Sequence, residues 1–386
     1  MGSLFNFLAW FSIVLVVYVY IGYPALLWLL ARFIHRPVRK GPGLQSVSLI
    51  IAAYNEEKVI EQKLLNSLEL DYPQDLLQII VVADGSSDQT QAIAERYEND
   101  RVLVLHTPER RGKCAAMNRA AEIATGDILV FSDANAFYYP NAIRELMANF
   151  ADSEVGCASG SKTVKAAASD LGKSEGAYWK YEAGIKKLES KLHSTIAVVG
   201  EMLALRRNLY TPIPEYIISD DAFLANCVLK LGKRVIYEPA AVSWETPVTR
   251  MSDEVVRRQR ISAARYRLLL DRSNWYWRNP LVLFMQFSHK FLRLMLPLLM
   301  LSALVFSLVA VVFFSGDLWL SLALIGQLCV YALAFVGYYA EKSGRKLPIV
   351  GVIYYIVSGN WASILGLIRY MTGRQSVAWE RVQRGD

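Results

Sequence analysis

Asp133 and Asn135 stand two residues apart at the end of an apolar stretch, "ILVFSDANAF", which begins at Ile128. The apolar residues predict a buried strand, and if the strand continues through Asn135 both side chains point to the same side. A carboxylate and an amide oxygen at this spacing can hold Mg²⁺ or Mn²⁺, with phosphate oxygens and water as the other ligands. We therefore predict a divalent metal site at Asp133, with Asn135 as the weaker ligand.

Two further polar clusters follow apolar stretches of the same kind. Tyr54, Asn55 and Glu56 come after "VSLIIAA", and "DGSSD", from Asp84 to Asp88, comes after "LQIIVVA". Parallel strands end at one edge of a sheet, and ligands of such sheets bind at that edge. Asp88 alone could instead cap the helix that follows it. Three clusters at one edge predict a binding site.

The elements that must position these clusters alternate between apolar strands and amphipathic helices from about residue 45 to residue 248. This alternation predicts a doubly wound, mostly parallel α/β sheet. Neither GxxxxGK[ST] nor a GxGxxG after the first strand occurs. These absences argue against a P-loop ATPase and a dinucleotide-dependent dehydrogenase.

Lys113 opens a predicted helix directly after "RRG". A lysine at this position can reach a phosphate as a point charge. The alternative is a solvated surface lysine. Asp84, at the end of the second strand, could accept hydrogen bonds from a base or a ribose.

Both ends of the chain are apolar enough to enter a membrane. No charged residue precedes Arg32, and the runs 294–316, 318–340 and 347–368 carry none. Each run reaches the roughly 20 residues that a spanning helix needs. Basic residues follow the first run at once, and basic residues remain on the cytosolic side. We expect a multi-pass protein of the inner (plasma) membrane with its N-terminus outside and its central domain in the cytosol.

These patterns divide the chain into segments. Crossing by the last run would place Arg369 and the basic tail outside, so we favour a re-entrant or interfacial form over a transmembrane one. We predict a transmembrane helix at 1–34, a cytosolic domain at 45–248, amphipathic interfacial helices at 249–290, a transmembrane hairpin at 291–341, a re-entrant, interfacial or transmembrane helix at 347–371, and a cytosolic tail at 372–386. The net charge of +7 suits nucleic acid, anionic lipid or phosphate-bearing substrates. Because membrane segments are present, we expect nucleotide phosphates and membrane lipid as partners, and no nucleic acid.

Four motifs in order, "IIAAYNEE", "VVADGSSDQT", "RRGKCAAMN" and "FSDAN", resemble those of the family 2 inverting glycosyltransferases. The membrane-embedded branch, with the cellulose, chitin and hyaluronan synthases, is also similar in layout. The resemblance implies the GT-A nucleotide-sugar fold, a UDP-sugar donor, and Mg²⁺ or Mn²⁺. Carried over by position, it implies nucleotide-sugar contacts at Ala53, Tyr54, Asn55, Glu56, Asp84, Lys113 and Asp133, with Asp133 and Asn135 as the metal motif in a D-x-N form.

The segment "ISDDAFLANCVLKLGKR" resembles the acceptor side of the same family, where the second acid of a pair is the catalytic base. This assigns the general base to Asp221. Asp220 is either a helix cap or an acceptor-side residue. Glu201, in the preceding "AVVGEMLALRR", is also assigned to the acceptor side.

Members of this family that extend a polymer processively carry the motif Q-x-x-R-W. This chain has Arg257 in place of the glutamine, Arg260 at the arginine and Ile261 in place of the tryptophan. The resemblance assigns Arg260 to the diphosphate, and the missing tryptophan argues against processive elongation. Alternatively, the arginines form an amphipathic surface on anionic lipid, with Arg258 or Arg265 towards the lipid. Near the C-terminus, Trp379 and Arg381 resemble a gating segment or belong to a membrane-surface tail.

The predicted function is inverting transfer of a sugar from a nucleoside-diphosphate sugar to a polysaccharide or a lipid-linked saccharide. A non-processive single transfer to a polyprenyl-linked acceptor is the alternative within this class. A sugar nucleotidyltransferase would not need Asp221 or membrane helices. A transporter with a nucleotide-sensing domain is disfavoured because the apolar runs hold no ionisable side chain.

The metal motif yields a first prediction. Asp133→Ala should abolish activity because it removes the one carboxylate of the motif, whereas Asn135→Ala should mainly weaken metal-dependent donor binding. Donor affinity and turnover, measured against Mn²⁺ concentration, separate the two effects. Equal losses from both variants would contradict this ranking.

Overall fold

The structure, a computed structural model, describes residues 1–42, 44–164, 170–246, 251–314, 316–343, 345 and 347–373. Trp379 and Arg381, which the sequence assigned to a gating or surface tail, lie outside the described residues. The predicted tail at 372–386 is therefore described only as far as Gly373.

The central domain is built on a sheet of eight strands within the described residues, in the order β3-β2-β1-β4-β7-β6-β8-β5. The strands are β1 Val47–Ala53, β2 Leu77–Asp84, β3 Val102–Thr107, β4 Ile128–Asp133, β5 Phe137–Tyr138, β6 Val155–Val164, β7 Leu203–Arg206 and β8 Arg234–Glu245. β1 to β4 pair in parallel, as does β6 with β8. β7 runs antiparallel to β4 and β6, and β5 runs antiparallel to β8. The predicted mostly parallel α/β sheet is confirmed, with an antiparallel portion that the apolar pattern did not predict.

Helices cover both faces of this sheet. They are α3 Ile60–Leu68, α4 Thr90–Glu95, α5 Lys113–Ile123, α6 Ala142–Ala148, α7 Asp170–Leu192 and α8 Asp220–Lys230. Alternate residues of one strand enter opposite cores, since Ile50 packs in one apolar cluster and Leu49 in the other. Burial on both faces explains why β1, β2 and β4 read as continuous apolar runs.

The remaining helices contain the apolar ends of the chain. They are α1 Gly2–Val17, α2 Tyr23–Phe33, α9 Met251–Leu270, α10 Pro280–Met285, α11 Leu292–Phe314, α12 Leu318–Lys342 and α13 Pro348–Met371. A π-helical segment, Tyr18–Gly22, joins α1 to α2, and another, Gln286–Phe291, joins α10 to α11. In the described part of the chain, four helical spans are long and apolar enough to cross a membrane: Gly2–Phe33, Pro280–Phe314, Leu318–Lys342 and Ile349–Met371.

The last apolar run forms one unbroken helix, α13, which includes the polar stretch from Ser358 to Trp361. This helix packs along α9: the Tyr370 ring stacks on Tyr266, and Gly366 lies against Ser262. The structure shows no break of the kind a re-entrant loop would need within α13. Whether α13 crosses the membrane or lies at its surface stays a prediction.

A buried ionic network, absent from the sequence analysis, joins the central domain to the membrane helices. Glu189 of α7 accepts a hydrogen bond from the Tyr23 hydroxyl at 2.6 Å and lies 2.7 Å from His289 Nδ1. Glu182, two turns earlier, pairs with Arg293 and lies 3.3 Å from His289 Nε2. Burial raises the pKa of Glu182, but Arg293 and His289 outweigh it and hold that pKa well below its ordinary value. Glu182 is therefore a buried carboxylate whose charge depends on its two cationic partners.

Removal of this carboxylate should destabilise the junction. Glu182→Ala leaves the largely buried Arg293 without its carboxylate and leaves His289 with Glu189 alone, a change that costs about 3–5 kcal/mol. The thermal unfolding midpoint in detergent measures the loss. The matched control is Glu154→Ala, which breaks an exposed ion pair with Arg36. The Arg36 side chain is 45% exposed and that of Glu154 is 54% exposed, so the loss should cost about 1 kcal/mol or less. Similar shifts for both variants would contradict the role of the network.

Candidate active site

The three polar clusters meet at one edge of the sheet because their strands are adjacent. In the parallel register, Ala53 of β1 lies opposite Ala83 of β2, and Ala52 lies opposite Asp133 of β4. β1 therefore ends between the turn that begins at Asp84 and the D-x-N motif. The edge that the sequence predicted is formed by these three turns.

The turn after β1 is hydrogen-bonded to the turn after β2. Asn55 has a left-handed backbone (φ 53°), and its side-chain oxygen accepts a hydrogen bond from the Ser87 N–H at 2.8 Å. The Glu56 N–H donates to the Thr90 hydroxyl at 2.7 Å. Tyr54 lies under the guanidinium of Arg110, with 3.7 Å from Cζ to the ring centroid. Ala53 is buried, so any contribution it makes to nucleotide binding comes through its backbone.

Asp84 is fully buried, and its carboxylate is used within the protein. It accepts hydrogen bonds from the Gly112 N–H at 2.6 Å and the Arg111 N–H at 3.3 Å, and it pairs with Arg119 at 2.8 Å. In this arrangement Asp84 positions the loop that begins α5. The nucleotide contact predicted for Asp84 stays a prediction, and the positioning role is one that the motif did not suggest.

Lys113, the first residue of α5, lies at the centre of the acidic residues. Its ammonium is 2.7 Å from an oxygen of Asp133 and 3.2 Å from an oxygen of Asp220. Burial would lower the pKa of Lys113, but Asp133, Asp220 and Asp221 outweigh it and hold the pKa above its ordinary value. Lys113 is therefore a permanent cation among the acids, and it is not the solvated surface lysine of the alternative interpretation.

Asp220 and Asp221 begin α8, with Ser219 at the N-cap position. The Asp220 side chain is largely buried, and burial raises its pKa; Asp221 and Asp133 add to the increase while Lys113 opposes it. Asp221 is half-buried, and its Oδ1 accepts a hydrogen bond from the Ala222 N–H at 2.8 Å. Gly200 packs against it, since a Cβ there would lie 3.1 Å from the Asp221 Cβ. The two acids therefore differ: Asp220 is paired, and Asp221 is more accessible.

The residues at the D-x-N motif fit a divalent cation that shares its ligands with a substrate. Among the residues that the structure describes, no three His, Cys, Asp or Glu side chains are grouped for metal binding. Asp133 is 39% exposed, and the Lys113 ammonium on its carboxylate marks a position where a cation is stabilised. Mg²⁺ commonly takes one or two carboxylates and completes its shell with phosphates and water. Asp133 and Asn135 match that requirement, and they do not match a site made of protein ligands alone.

Glu201 belongs to a buried cluster beside this site. The Lys162 ammonium lies 2.9 Å from Glu201 and 2.6 Å from Glu245, and the Ser243 hydroxyl donates to Glu201 at 2.8 Å. Sequence reasoning named Glu201 but missed Lys162 and Glu245, because no local motif carries them. They meet only through the pairing of β6 with β8. Burial raises the pKa of Glu201 to about 8, with Glu245 adding to the increase and Lys162 opposing it.

The arginine side chains of α9 lie in different environments. Glu254 pairs with both Arg257 at 2.8 Å and Arg258 at 2.6 Å, and Arg258 also lies 4.1 Å from the Tyr355 ring of α13. Arg258 therefore packs between helices, and the predicted lipid-facing position is wrong for it. Arg260 is half-buried, and its contact with a diphosphate stays a prediction.

The raised pKa of Glu201 predicts a pH-dependent stability. Glu201 ordinarily ionises near 4.5, so folding takes up a proton between that pH and about 8, and wild-type stability should fall as pH rises across this window. Glu201→Gln cannot titrate and keeps one acceptor oxygen for Lys162 or Ser243, so its unfolding midpoint should vary less over the same window. Glu154→Gln, at an exposed glutamate, is the control. Parallel pH profiles for wild type and Glu201→Gln would contradict the assignment.

Known proteins support the same interpretation of the sheet edge. Residues 48–211 match the family model described as Glycosyl transferase family 2. Poly-beta-1,6-N-acetyl-D-glucosamine synthase of Staphylococcus aureus (strain COL) is 26% identical over 251 residues, covering 62% of this chain and 60% of that protein. The probable glycosyltransferase YdaM of Bacillus subtilis (strain 168) is 29% identical over 224 residues, covering 52% of this chain and 51% of that protein. The alignments thus span about half to three fifths of these relatives.

A solved structure is similar over almost the whole chain. The mannosyltransferase PcManGT from Pyrobaculum calidifontis, determined in complex with GDP-Man and Mn²⁺, superposes with a TM-score of 0.73. The alignment covers 95% of this chain and 99% of that one at 24% identity, so it establishes the fold. The family match, the strand-end motifs and this fold together show that the chain carries a glycosyl transferase family 2 domain of the GT-A fold.

Proposed function

We propose that this chain transfers a sugar, with inversion, from a nucleoside-diphosphate sugar to a polysaccharide or lipid-linked saccharide at the inner face of a membrane. The observation that carries the proposal is the convergence of Asp133, Lys113, Asp220 and Asp221 at the edge formed by the ends of β1, β2 and β4. This edge is where ligands of such sheets bind. The accessible carboxylate of Asp221 can take a proton from an acceptor hydroxyl. The Lys113 ammonium can pair with a diphosphate.

Asp221 is the general base of the proposed reaction. A sugar hydroxyl is a weak nucleophile, and a positioned carboxylate that takes its proton accelerates attack by roughly 10²- to 10⁴-fold. The Ala222 N–H holds one oxygen of Asp221, and the side chain remains partly accessible to an acceptor. Attack on the face opposite the diphosphate inverts the anomeric carbon in one step.

Lys113 and Asp133 form the donor side. A diphosphate bound at Asp133 would bring its own negative charge beside the Lys113 ammonium, which can pair with it as a point charge. Mg²⁺ or Mn²⁺ at Asp133 and Asn135 would neutralise the leaving diphosphate when bound. The turn from Ala53 to Glu56 would hold the nucleotide, with Asp84 fixing the adjoining loop. Arg260 is the proposed further contact of the diphosphate.

The relatives guide the choice of donor. The S. aureus relative is named as a poly-beta-1,6-N-acetyl-D-glucosamine synthase, and the structural neighbour was solved with GDP-Man and Mn²⁺. UDP-N-acetylglucosamine and GDP-mannose are therefore the first donors to test beside other UDP-sugars. Ile261 stands where processive members of the family carry tryptophan. A single transfer consequently remains the alternative to polymer synthesis.

Membrane attachment supports an acceptor that is itself at the membrane. Four helical spans in the described part of the chain could cross a bilayer, and the ionic network of Glu182 and Glu189 docks the catalytic domain directly on two of them. This arrangement would keep the active site close to the lipid surface. We propose a multi-pass inner-membrane protein with a cytosolic catalytic domain and an external N-terminus.

A donor panel tests the proposal. Full-length protein is incubated with UDP-sugars and GDP-mannose in Mn²⁺ or Mg²⁺, and nucleotide release and product length are measured. Asp221→Asn should reduce turnover by about 10²-fold or more with little change in donor binding, because it removes the base and keeps the shape. Asp71→Asn, at an exposed pair with Arg144, is the matched control.

Two results would overturn the proposed function. Normal turnover by Asp221→Asn would exclude Asp221 as the base. Nucleotide binding without any sugar transfer, coupled to glycan or ion flux in liposomes, would instead support a transporter.

A further inference from the structure

Lys63, on α3, is a fully buried lysine that has no part in the proposed reaction. A lysine is almost never fully buried without a partner, because its nitrogen loses the hydration that it has in water. The Lys63 nitrogen donates a hydrogen bond to the Ala136 carbonyl at 2.5 Å. It also lies 4.0 Å from the centroid of the Tyr138 ring. Both partners belong to the segment that directly follows the D-x-N motif.

Asn66, one turn further along α3, binds the same segment. Its side-chain nitrogen donates to the Tyr138 carbonyl at 2.9 Å, and its side-chain oxygen accepts from the Tyr138 N–H at 2.8 Å. The Asn66 amide therefore satisfies both backbone groups of Tyr138. Residues three apart on a helix lie on the same face, so Lys63 and Asn66 together hold residues 136–138 at two points.

This segment is the far end of the turn that carries the candidate metal ligands. Within the turn, the Ala136 N–H donates to the Asp133 carbonyl at 3.2 Å. Asp133 is the last residue of β4, which is fixed in the sheet by its pairing with β1. Asn135 lies between that fixed strand end and Ala136. The backbone of the motif is therefore held by the sheet on one side and by α3 on the other.

The Lys63 nitrogen supplies a directed bond rather than packing. Methionine would fill a similar space without burying a nitrogen. Burial lowers the pKa of Lys63 to about 7, and the negative charges of Asp133 and Glu201 oppose this shift. Both the ammonium and the neutral amine carry N–H groups, so the bond to Ala136 does not depend on which form is present.

We propose that Lys63 and Asn66 are positioning residues for the metal site, because they fix the end of the turn from which the Asp133 and Asn135 side chains project. The inference rests on the metal site of the proposed function and adds the residues that preorganise it. Mg²⁺ requires nearly ideal octahedral coordination, so a site with few protein ligands depends on how firmly those ligands are held. Loss of a group that orients metal ligands typically lowers metal affinity by about ten- to a hundred-fold.

Mn²⁺ binding to the full chain in detergent tests the inference without relying on sugar transfer. Free Mn²⁺ is measured by electron paramagnetic resonance during a protein titration, in the presence of UDP or GDP. The variant Asp133→Ala defines the binding that does not involve the motif. Lys63→Met should raise the Mn²⁺ dissociation constant by roughly ten- to a hundred-fold, and Asn66→Ala should raise it as well.

Ser67→Ala is the matched control on the same helix. The Ser67 side chain is buried, and its hydroxyl donates to the Lys63 carbonyl at 2.8 Å within α3. Its loss removes a buried hydrogen bond of α3 and leaves the bonds to residues 136–138 in place. We expect Ser67→Ala to bind Mn²⁺ like the wild type.

Two further measurements separate positioning from a general loss of structure. Binding of UDP or GDP in EDTA should be unchanged in Lys63→Met and Asn66→Ala, because the metal takes no part in it. Turnover at saturating Mn²⁺ should return to the wild-type value, while the Mn²⁺ concentration needed for half-maximal activity should rise. A damaged domain would instead lose metal-free nucleotide binding and maximal turnover together.

Wild-type Mn²⁺ affinity in both variants would overturn the inference. Equal losses of Mn²⁺ binding and metal-free nucleotide binding would also overturn it, because the role of α3 would then be structural. If Lys63→Met does not fold, the Mn²⁺ affinity of Asn66→Ala decides the question.

The donor panel separates this inference from the proposed function. Sugar transfer by the wild type, together with unchanged Mn²⁺ affinity in both variants, would refute the positioning role and retain the transferase. Mn²⁺ binding that depends on Asp133, Lys63 and Asn66 in a protein that transfers no sugar would retain the positioning role and refute the transferase. Wild-type Mn²⁺ binding no stronger than that of Asp133→Ala would refute the metal site and this inference together.

Discussion

The Lys113 ammonium between Asp133 and Asp220 is the interaction on which the candidate active site depends. Asp133, Asp220 and Asp221 gather at one sheet edge, and like charges at such separations repel one another unless a cation lies among them. Lys113 supplies that charge, and in the proposed reaction its ammonium also pairs with the diphosphate of the donor. The same contact ties β4, α5 and α8 together. One cation thereby fixes Asp133, on the proposed donor side, relative to Asp220, on the proposed acceptor side.

The surrounding structure holds this cation in place. Asp84 is buried at the end of β2, and it takes the backbone N–H groups of the loop that leads to Lys113. Gly85, with φ 64°, lets the Arg110 backbone approach to a distance that a Cβ would not allow. Glu182 and Glu189 bind α7 to the membrane helices through His289 and Arg293. Buried charges thus order the candidate active site and join its domain to the candidate membrane helices.

The sequence allowed the strand-end clusters to be predicted because their signals are local: apolar strands, turn residues and helix starts lie within a few positions of one another. Pairings between distant residues were not predictable. Lys113 meets Asp220, and Lys162 meets Glu245, only after the sheet has formed. The polar stretch in the last apolar run did not decide whether this run re-enters, lies at or crosses the membrane, and the structure adds that it is one unbroken helix, α13, packed along α9. Asp84 carried a motif that pointed to the nucleotide, yet its burial gives it a positioning role in this structure.

Asp221 is the single base of the proposed one-step displacement, and the stereochemistry of the product tests the one-step displacement most directly. The anomeric configuration of the newly transferred sugar, determined by NMR on the product of the active donor, should be opposite to that of the sugar in the donor. No protein nucleophile is then required, and Asp221 needs only to remove the acceptor proton. Retention of the donor's anomeric configuration would require a second displacement and would contradict the account.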